Sequence, residues 1–267
     1  MNAAASTAVG LSRPDGYRRN TPIPMRFLRA DASRIFRQGP FQIRRMRCGL
    51  VLGPKADPAF GSLSVIDHGR LGVGTLVAMH EHINDEILSY LWRGTMIHED
   101  SSGHRVALSP NRLMMMNAGR SFWHEESVPE TPVEMLQIFI RPQEADLDGT
   151  VQFFDRPAPI SDSQWHLLGG PEDSDAPLKI RQQVRVYDAH LASGQALSLP
   201  PTGNLSPWLY LMDGTIRIGD QLLVKGDATT DLDAALPSIH AESDATLVLF
   251  LVDRTARATR DGTISGG

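Results

Sequence analysis

Short apolar stretches of four to eight residues follow one another from residue 41 onward, and they constrain the fold more than any other feature. Gly, Pro, Asn and Asp separate them, and these residues favour turns. No long segment repeats apolar residues with the 3.6-residue period of an amphipathic helix. Strands are predicted at 42–47, 62–67, 74–79, 86–92, 95–99, 105–108, 112–117 and 133–141. About eight strands in about 100 residues predict a β-sandwich or barrel.

The second half of the chain repeats this organisation after a different kind of segment. Residues 141–179 are rich in proline, glycine and acidic side chains, which is typical of a connector that crosses a surface. Strands are then predicted at 180–187, 195–199, 208–212, 215–218, 221–224 and 245–252. The pairs Asp213-Gly214 and Gly219-Asp220 predict hairpin turns. Both halves therefore resemble small β-barrels of similar length, as a duplicated unit would.

Composition and charge exclude several classes of protein. The chain is 41% hydrophobic and 21% charged, which is normal for a globular protein and not for a disordered one. The apolar run 247–252 is far shorter than the ~20 residues of a membrane-spanning helix. Cys48 is the single cysteine, so no intramolecular disulfide can form, and we expect a cytoplasmic protein. The net charge of −5 gives no reason to expect direct binding to nucleic acid or to a membrane.

The positive charge is concentrated at the start of the chain. Residues 1–50 contain ten arginines against only Asp15 and Asp31. This distribution fits an arm that binds anions or a protein partner. It equally fits a solvated leader followed by an exposed strand face, and the sequence leaves both interpretations open.

Two short motifs carry candidate metal ligands. His80 and His82 stand at i and i+2 in a predicted strand, so both imidazoles lie on one face. His124 and Glu126 repeat this spacing 42 residues after His82. Three imidazoles and one carboxylate that meet at a point suit divalent iron, manganese, nickel, copper or zinc. Glu86 also lies an even number of residues from His82, so spacing alone leaves either carboxylate open as the ligand. The other histidines are more typical of surface or packed positions, and these are His68, His98, His104, His166, His190 and His240.

The flanks of these motifs resemble the pirin family of the cupin superfamily. The chain resembles the first cupin motif at Gly74, His80-x-His82 and Glu86, which are separated by five and then three residues. Further resemblance lies in residues 79–90, in Gly94…His98-Glu99-Asp100-Ser101-x-Gly103, in Ala118-Gly119-Arg120-x-x-x-His124-x-Glu126 and in Phe60-Gly61-x-Leu63-x-Val65. The resemblance implies one metal ion, usually Fe(II), held by His80, His82, His124 and Glu126, with Glu86 as a close neighbour.

The resemblance also implies an all-β bicupin, in which two jelly-roll-like β-barrels pack in tandem. The predicted organisation is a disordered leader over 1–25, a metal-binding cupin domain over 26–141 and a connector over 142–178. A second cupin domain without a metal site follows over 179–254, and a tail over 255–267.

Some pirins resemble quercetin 2,3-dioxygenases, so we expect an oxidoreductase that uses dioxygen and a small flavonol-type aromatic substrate. Glu126 or Glu86 would take the substrate's hydroxyl proton as the catalytic base. Met114, Met116, Phe122 and Trp123 either line an aromatic-sized pocket or belong to the barrel core. The alternative function is a non-enzymatic, metal-dependent or redox-dependent regulator that binds a transcription factor or a metabolic enzyme.

Overall fold

The structure is a computed structural model that describes residues 25–157, 163–232 and 236–267. The predicted disordered leader lies outside these residues except for Met25. The described chain is built almost wholly of strands, with short 3-10 helices at Ala30–Ala32 and Cys48–Leu52. Neither these nor any other helix in the described ranges has the length and apolar character needed to cross a bilayer.

The strands are numbered in chain order. The first twelve are β1 (Arg26–Leu28), β2 (Arg34–Gln38), β3 (Phe41–Arg47), β4 (Leu63–Leu71), β5 (Leu76–His82), β6 (Glu86–Arg93), β7 (Met96–Asp100), β8 (Arg105–Leu108), β9 (Arg112–Asn117), β10 (Phe122–Ser127), β11 (Val133–Ile140) and β12 (Thr150–Asp155). The others are β13 (His166–Pro171), β14 (Leu178–Ile180), β15 (Val184–Leu191), β16 (Ala196–Leu197), β17 (Ser206–Asp213), β18 (Thr215–Ile218), β19 (Gln221–Val224), β20 (Ala228–Thr230), β21 (Ile239–Ala241) and β22 (Ala245–Val252).

Each domain consists of a large sheet and a small sheet. In the first domain the seven-stranded sheet has the order β12-β9-β6-β11-β4-β3-β2, and the four-stranded sheet has the order β5-β10-β7-β8. The second domain has a seven-stranded sheet, β1-β20-β17-β22-β15-β13-β14, and a four-stranded sheet, β16-β21-β18-β19. The same division into seven and four strands in both halves confirms the predicted all-β bicupin.

The central strands of the two large sheets are buried on both faces. One apolar cluster joins the domains and contains Leu88 and Leu136 from the first together with Trp208 and Phe250 from the second. The alternate side chains of the first large sheet, such as Ile87, pack in a separate cluster within their own domain. A strand covered on both faces has a continuous apolar sequence instead of an alternating one. β22 has such a continuous apolar sequence, and every one of its residues is buried.

Segments near the domain boundaries differ from the prediction. Residues 142–178, predicted as a connector, contain β12, which pairs with β9, and β13, which pairs with β15. The prolines of this segment had indicated a loop, but Pro142 and Pro157 flank β12 and leave the apolar pattern of Thr150–Asp155 intact. In addition, β1 does not join the first domain that follows it in sequence. It pairs with β20 and extends the large sheet of the second domain.

Candidate metal centre

The candidate ligands lie on the inner face of the small sheet of the first domain. His80 and His82 are on β5, and His124 and Glu126 are on the neighbouring strand β10. The antiparallel register sets His80 directly opposite His124, and a bulge follows between His124 and Glu126. Side chains at alternate positions share a face, so the sheet directs both pairs toward the same interior space.

Three imidazoles meet at this point. The Nε2 atoms of His80 and His82 are 3.1 Å apart, and the ring centroids of His80 and His124 are separated by 4.4 Å. Each of the three rings offers a nitrogen atom within 4.8 Å of those of the other two. His82 and His124 are buried, while His80 is partly exposed. This arrangement has the donor type and the spacing that a divalent transition metal requires.

Glu126 lies in a second, overlapping group. Ligand atoms of His98, His124 and Glu126 also lie within 4.8 Å of one another, and all three residues are buried. The Oε1 atom of Glu126 is 3.8 Å from Nδ1 of His124 and accepts a hydrogen bond from the Gln137 amide at 3.2 Å. His124 is therefore common to both groups and stands between the His80 and His82 pair on one side and Glu126 on the other.

His98 is a residue of this site that the sequence analysis had placed among the uninformative histidines. It is fully buried on β7, directly opposite Glu126 in the register of β10 with β7. Its Nε2 atom is 3.0 Å from Asp100 Oδ2, which leaves Nδ1 directed away from that carboxylate. The alternation along β7 could have predicted that His98 lies on the inner face. The sequence does not reveal that β7 pairs with β10, which is what sets His98 beside the ligands.

Burial favours the neutral imidazole at three histidines of the site, His80, His98 and His124. Burial, helped by repulsion from His80, His82 and His98, lowers the pKa of His124 to about 2. Burial also lowers the pKa of His80 and that of His98 from the ordinary value of about 6.5. Neutral imidazole is the form that binds a metal, so these shifts leave the nitrogens available as ligands at ordinary pH.

Unpaired buried nitrogens indicate that the group fits a metal ion. Within the described residues, neither ring nitrogen of His124 has a hydrogen-bond partner, and neither does Nδ1 of His98. Buried polar atoms without partners are costly and uncommon in proteins. Burial also raises the pKa of Glu126 to about 7, against the hydrogen bond from Gln137. A divalent cation would take one of the two His124 nitrogens as a ligand and compensate the buried carboxylate, so the donor set fits such an ion.

The two histidines of β5 are held by hydrogen bonds from their other ring nitrogens. Nδ1 of His80 lies 2.9 Å from the Ala78 carbonyl oxygen, and Nδ1 of His82 lies 3.0 Å from Asp85 Oδ2. Asp85 reaches back to His82 because Asn84 between them adopts a left-handed backbone with φ of 52°. Such bonds fix the orientation of a ligand ring and direct its Nε2 atom toward the metal.

Glu86 is held elsewhere. Its Oε2 atom accepts hydrogen bonds from the Asn117 amide at 2.5 Å and from the Arg181 backbone N–H at 2.9 Å, where the two domains meet. It belongs to neither group of candidate ligands among the described residues. The sequence had left Glu86 open as a carboxylate ligand, a close neighbour of the metal and a catalytic base, and the structure engages its carboxylate in these hydrogen bonds.

We expect Glu86→Gln to change the pH dependence of stability and to leave the metal content unaltered. Burial raises the pKa of Glu86 from 4.5 to about 7, so the folded chain retains a proton that the unfolded chain releases. The contribution of Glu86 to the free energy of unfolding therefore falls by about 3 kcal/mol as the pH rises through this window. Urea unfolding at pH 4.5 and pH 8 measures the fall in stability of both proteins. The fall should be smaller by this amount in Glu86→Gln, because burial also raises the pKa of Glu126 to about 7 and that group remains in both. An equal loss in both proteins would contradict the assignment.

A cavity of ≈ 200 Å³ opens beside the histidines, between the two sheets of the first domain. His80, His82 and Glu126 form its polar end, and Arg45 pairs with Asp67 by two hydrogen bonds in its wall. Most of the remaining lining is apolar and comes from Phe41, Ile43, Leu71, Val77, Met135 and Phe139.

The residues suggested by the sequence as an aromatic pocket lie elsewhere. Met114, Met116 and Phe122 are buried in the apolar clusters of the first domain, and Trp123 is 42% exposed. Their barrel-core interpretation is therefore correct for the first three. The cavity lining comes mainly from β3, β4 and β11, which only the register of the large sheet brings opposite the ligands.

Two family models match consecutive parts of the chain. Residues 42–140 match the model described as pirin, and residues 167–252 match the quercetinase C-terminal cupin domain. The chain belongs to the pirin family. The metal-centre candidates of this pirin all fall within the first matched segment, and the second matched segment ends with β22.

Individual relatives of this pirin agree with the family assignment. A quercetin 2,3-dioxygenase of Escherichia coli strain K12 is 26% identical over 193 residues, which are 72% of this chain and 82% of that protein. A pirin-like protein of Caulobacter vibrioides is 28% identical over 196 residues, which are 71% of this chain and 83% of that protein. The crystal structure of the bacterial pirin YhhW from Escherichia coli, in complex with nickel(II), has a TM-score of 0.75 and 22% identity. It covers 86% of this chain and 99% of its own, and it shows that the fold is shared.

Proposed function

We propose that His80, His82, His124 and Glu126 hold one divalent metal ion, with Fe(II) as the expected metal. The observation that carries this proposal is the meeting of three imidazoles whose buried nitrogens include two of His124 without partners. Glu126 is the carboxylate of choice because it lies beside His124, whereas Glu86 is engaged at the domain junction. His98 lies beside Glu126 and His124, with a ring nitrogen within 4.8 Å of their ligand atoms. Manganese, nickel, copper and zinc suit the same donors.

We further propose that the centre is that of an oxidoreductase of the quercetin 2,3-dioxygenase type, with a flavonol-type aromatic substrate. When bound, the metal supplies open positions where an oxygen-bearing substrate and dioxygen come together. The chain contributes the apolar cavity, which excludes water and accepts a planar ring between Phe41, Met135 and Phe139. Glu126, at the polar end of the cavity, would take the proton of a substrate hydroxyl.

The size of the cavity sets an expectation about the substrate. Its ≈ 200 Å³ lies below the roughly 300 Å³ from which pockets for drug-sized ligands usually begin. We therefore expect one part of a flavonol to enter between the sheets, while the remainder stays at the mouth of the cavity.

Oxygen uptake by the iron-loaded chain with a panel of flavonols tests the enzyme proposal. We expect turnover that Glu126→Gln lowers by at least about 100-fold, because this variant removes both a ligand charge and the proton acceptor. Glu125→Gln is the matched control, since Glu125 is the neighbouring carboxylate on β10 and has the opposite parity. Equal loss in both variants would contradict the assignment of Glu126. Metal binding without turnover on any flavonol would reject the dioxygenase proposal and favour the regulatory alternative.

A further inference from the structure

Residues 259–267 form a strap that returns from the second domain to the metal centre of the first. The sequence had indicated only a tail over 255–267. In the structure, the Thr259 amide donates a hydrogen bond to the Pro142 carbonyl oxygen as the strap reaches the first domain. Thr263 then binds the loop after β5, because its amide donates to Ile83 O at 2.9 Å and its hydroxyl accepts from Ile83 N at 2.8 Å.

The strap binds the carboxylate that orients a candidate metal ligand. Asp85 Oδ1 accepts hydrogen bonds from the Ser265 amide at 2.9 Å and from the Ser265 hydroxyl at 2.6 Å. Its Oδ2 atom accepts one from the Ile264 amide at 3.1 Å and lies 3.0 Å from His82 Nδ1. Asp85 and Ser265 are both fully buried. The strap is thus joined to the His82 ring through a single side chain.

A buried arginine anchors the backbone of the strap by hydrogen bonds. Arg141, at the end of β11, donates to the Ser265 carbonyl oxygen at 2.7 Å and to that of Gly266 at 3.3 Å. The Ser64 hydroxyl donates to the same Ser265 oxygen at 2.7 Å. Asp57 completes the anchor by pairing with both Arg141 and Arg260. The Arg260 side chain is exposed, but the charge-assisted bonds of Arg141 are made inside the protein and define one position for the segment.

The fit of the strap is close. A Cβ atom on Gly262 would collide with the Ser265 hydroxyl and with Asp85 Oδ1, so the backbone passes directly over the carboxylate. Thr263 and Ile264 also contribute to the wall of the cavity that contains His80 and His82. The same segment therefore touches the support of a ligand and the space next to it.

We propose that the strap orients a ligand of the metal centre. Ser265 and the Ile264 amide hold Asp85 by hydrogen bonds, and Asp85 holds the His82 ring. Ser265 and Asp85 are positioning residues, since they act through His82. This inference rests on the proposed metal site. Loss of a partner that orients a ligand typically weakens metal binding by about 10- to 100-fold.

Cobalt(II) binding to the full chain and to a chain ending at residue 258 tests the strap. Competition with a chelator gives the affinity, and the visible spectrum of the cobalt-loaded protein reports the ligand geometry. We expect the shortened chain to bind Co(II) about 10- to 100-fold more weakly, with an altered spectrum. Ser265→Ala, which removes one of the bonds to Asp85, should change both readouts in the same direction by a smaller amount. Ser193→Ala is the matched control, because the Ser193 hydroxyl is exposed in the second domain and bonds the Glu242 carbonyl oxygen, so this variant should bind as the full chain does.

The outcomes separate this inference from the proposed function. A full chain that binds no Co(II) would overturn both. A full chain that binds Co(II), beside a folded shortened chain with the same affinity and spectrum, would overturn the strap alone. If circular dichroism shows that the shortened chain does not fold, Ser265→Ala decides, and native affinity and spectrum in that variant would overturn the inference.

Discussion

His124→Ala should empty the metal centre. His124 is the one imidazole common to both groups of candidate ligands, and it is fully buried between them. Its replacement removes a ligand and leaves His80 and His82 without the ring that faces them across β5 and β10. We expect metal content to fall from close to one ion per chain to near zero, because affinity depends on the full set of neutral nitrogen and carboxylate donors. Elemental analysis of the purified, metal-loaded protein measures the effect.

The matched control for this loss is His240→Ala. His240 is an exposed histidine on β21 of the second domain, so its removal should leave metal content unchanged. Circular dichroism of both variants confirms that the strands persist. An unchanged metal content in folded His124→Ala would reject the site, since His124 is the residue that links the two groups of candidate ligands.

Arg156→Met should destabilise the protein more than any surface substitution. Arg156 follows β12 in the first domain and bonds Asp188 of the second at 2.6 Å, and both side chains are buried. Burial raises the pKa of Asp188 while Arg156 and Tyr90 oppose the shift. Removal of the guanidinium leaves a buried carboxylate that must stay uncompensated or take up a proton. Breaking a buried pair in this way costs about 3–5 kcal/mol, which urea unfolding at pH 7 measures.

Arg112→Met provides the comparison. Arg112 makes an ion pair with Asp155 in the same region, but both side chains are largely exposed. Solvent screens such a pair, so we expect little change in the free energy of unfolding. A similar loss of stability in the two variants would contradict the claim that burial gives the Arg156 pair its importance.

The sequence predicted strands best where a tight turn follows an apolar pattern. The strands β8, β9, β18, β19 and β22 have the predicted bounds. Gly214 and Gly219 have positive φ values at the two predicted hairpin turns, a conformation that glycine adopts without strain. The sequence did not reveal β12 or the pairing of β1 with β20, because these depend on contacts between residues far apart in the chain. Local patterns carry no information about such partners.

The site was predictable to the same extent. The parity of His80 with His82, and of His124 with Glu126, is local, and the structure sets these residues on the inner face of one sheet. Three other features follow from long-range pairing and packing. The register of β7 with β10 sets His98 opposite Glu126, and Glu86 is hydrogen-bonded where the two domains meet. The strap binds Asp85 through Ser265, which is 180 residues away in the sequence. Sequence spacing could not reveal these relations.

The central claim is that side chains from β5 and β10 bind one ion together. Anomalous diffraction from crystals of the metal-loaded protein, recorded on both sides of the metal's absorption edge, tests it most directly. We expect a single strong peak within bonding distance of His80, His82 and His124, with a Glu126 oxygen completing the protein ligands. A peak away from these rings, or bonded to only one of the two strands, would contradict it.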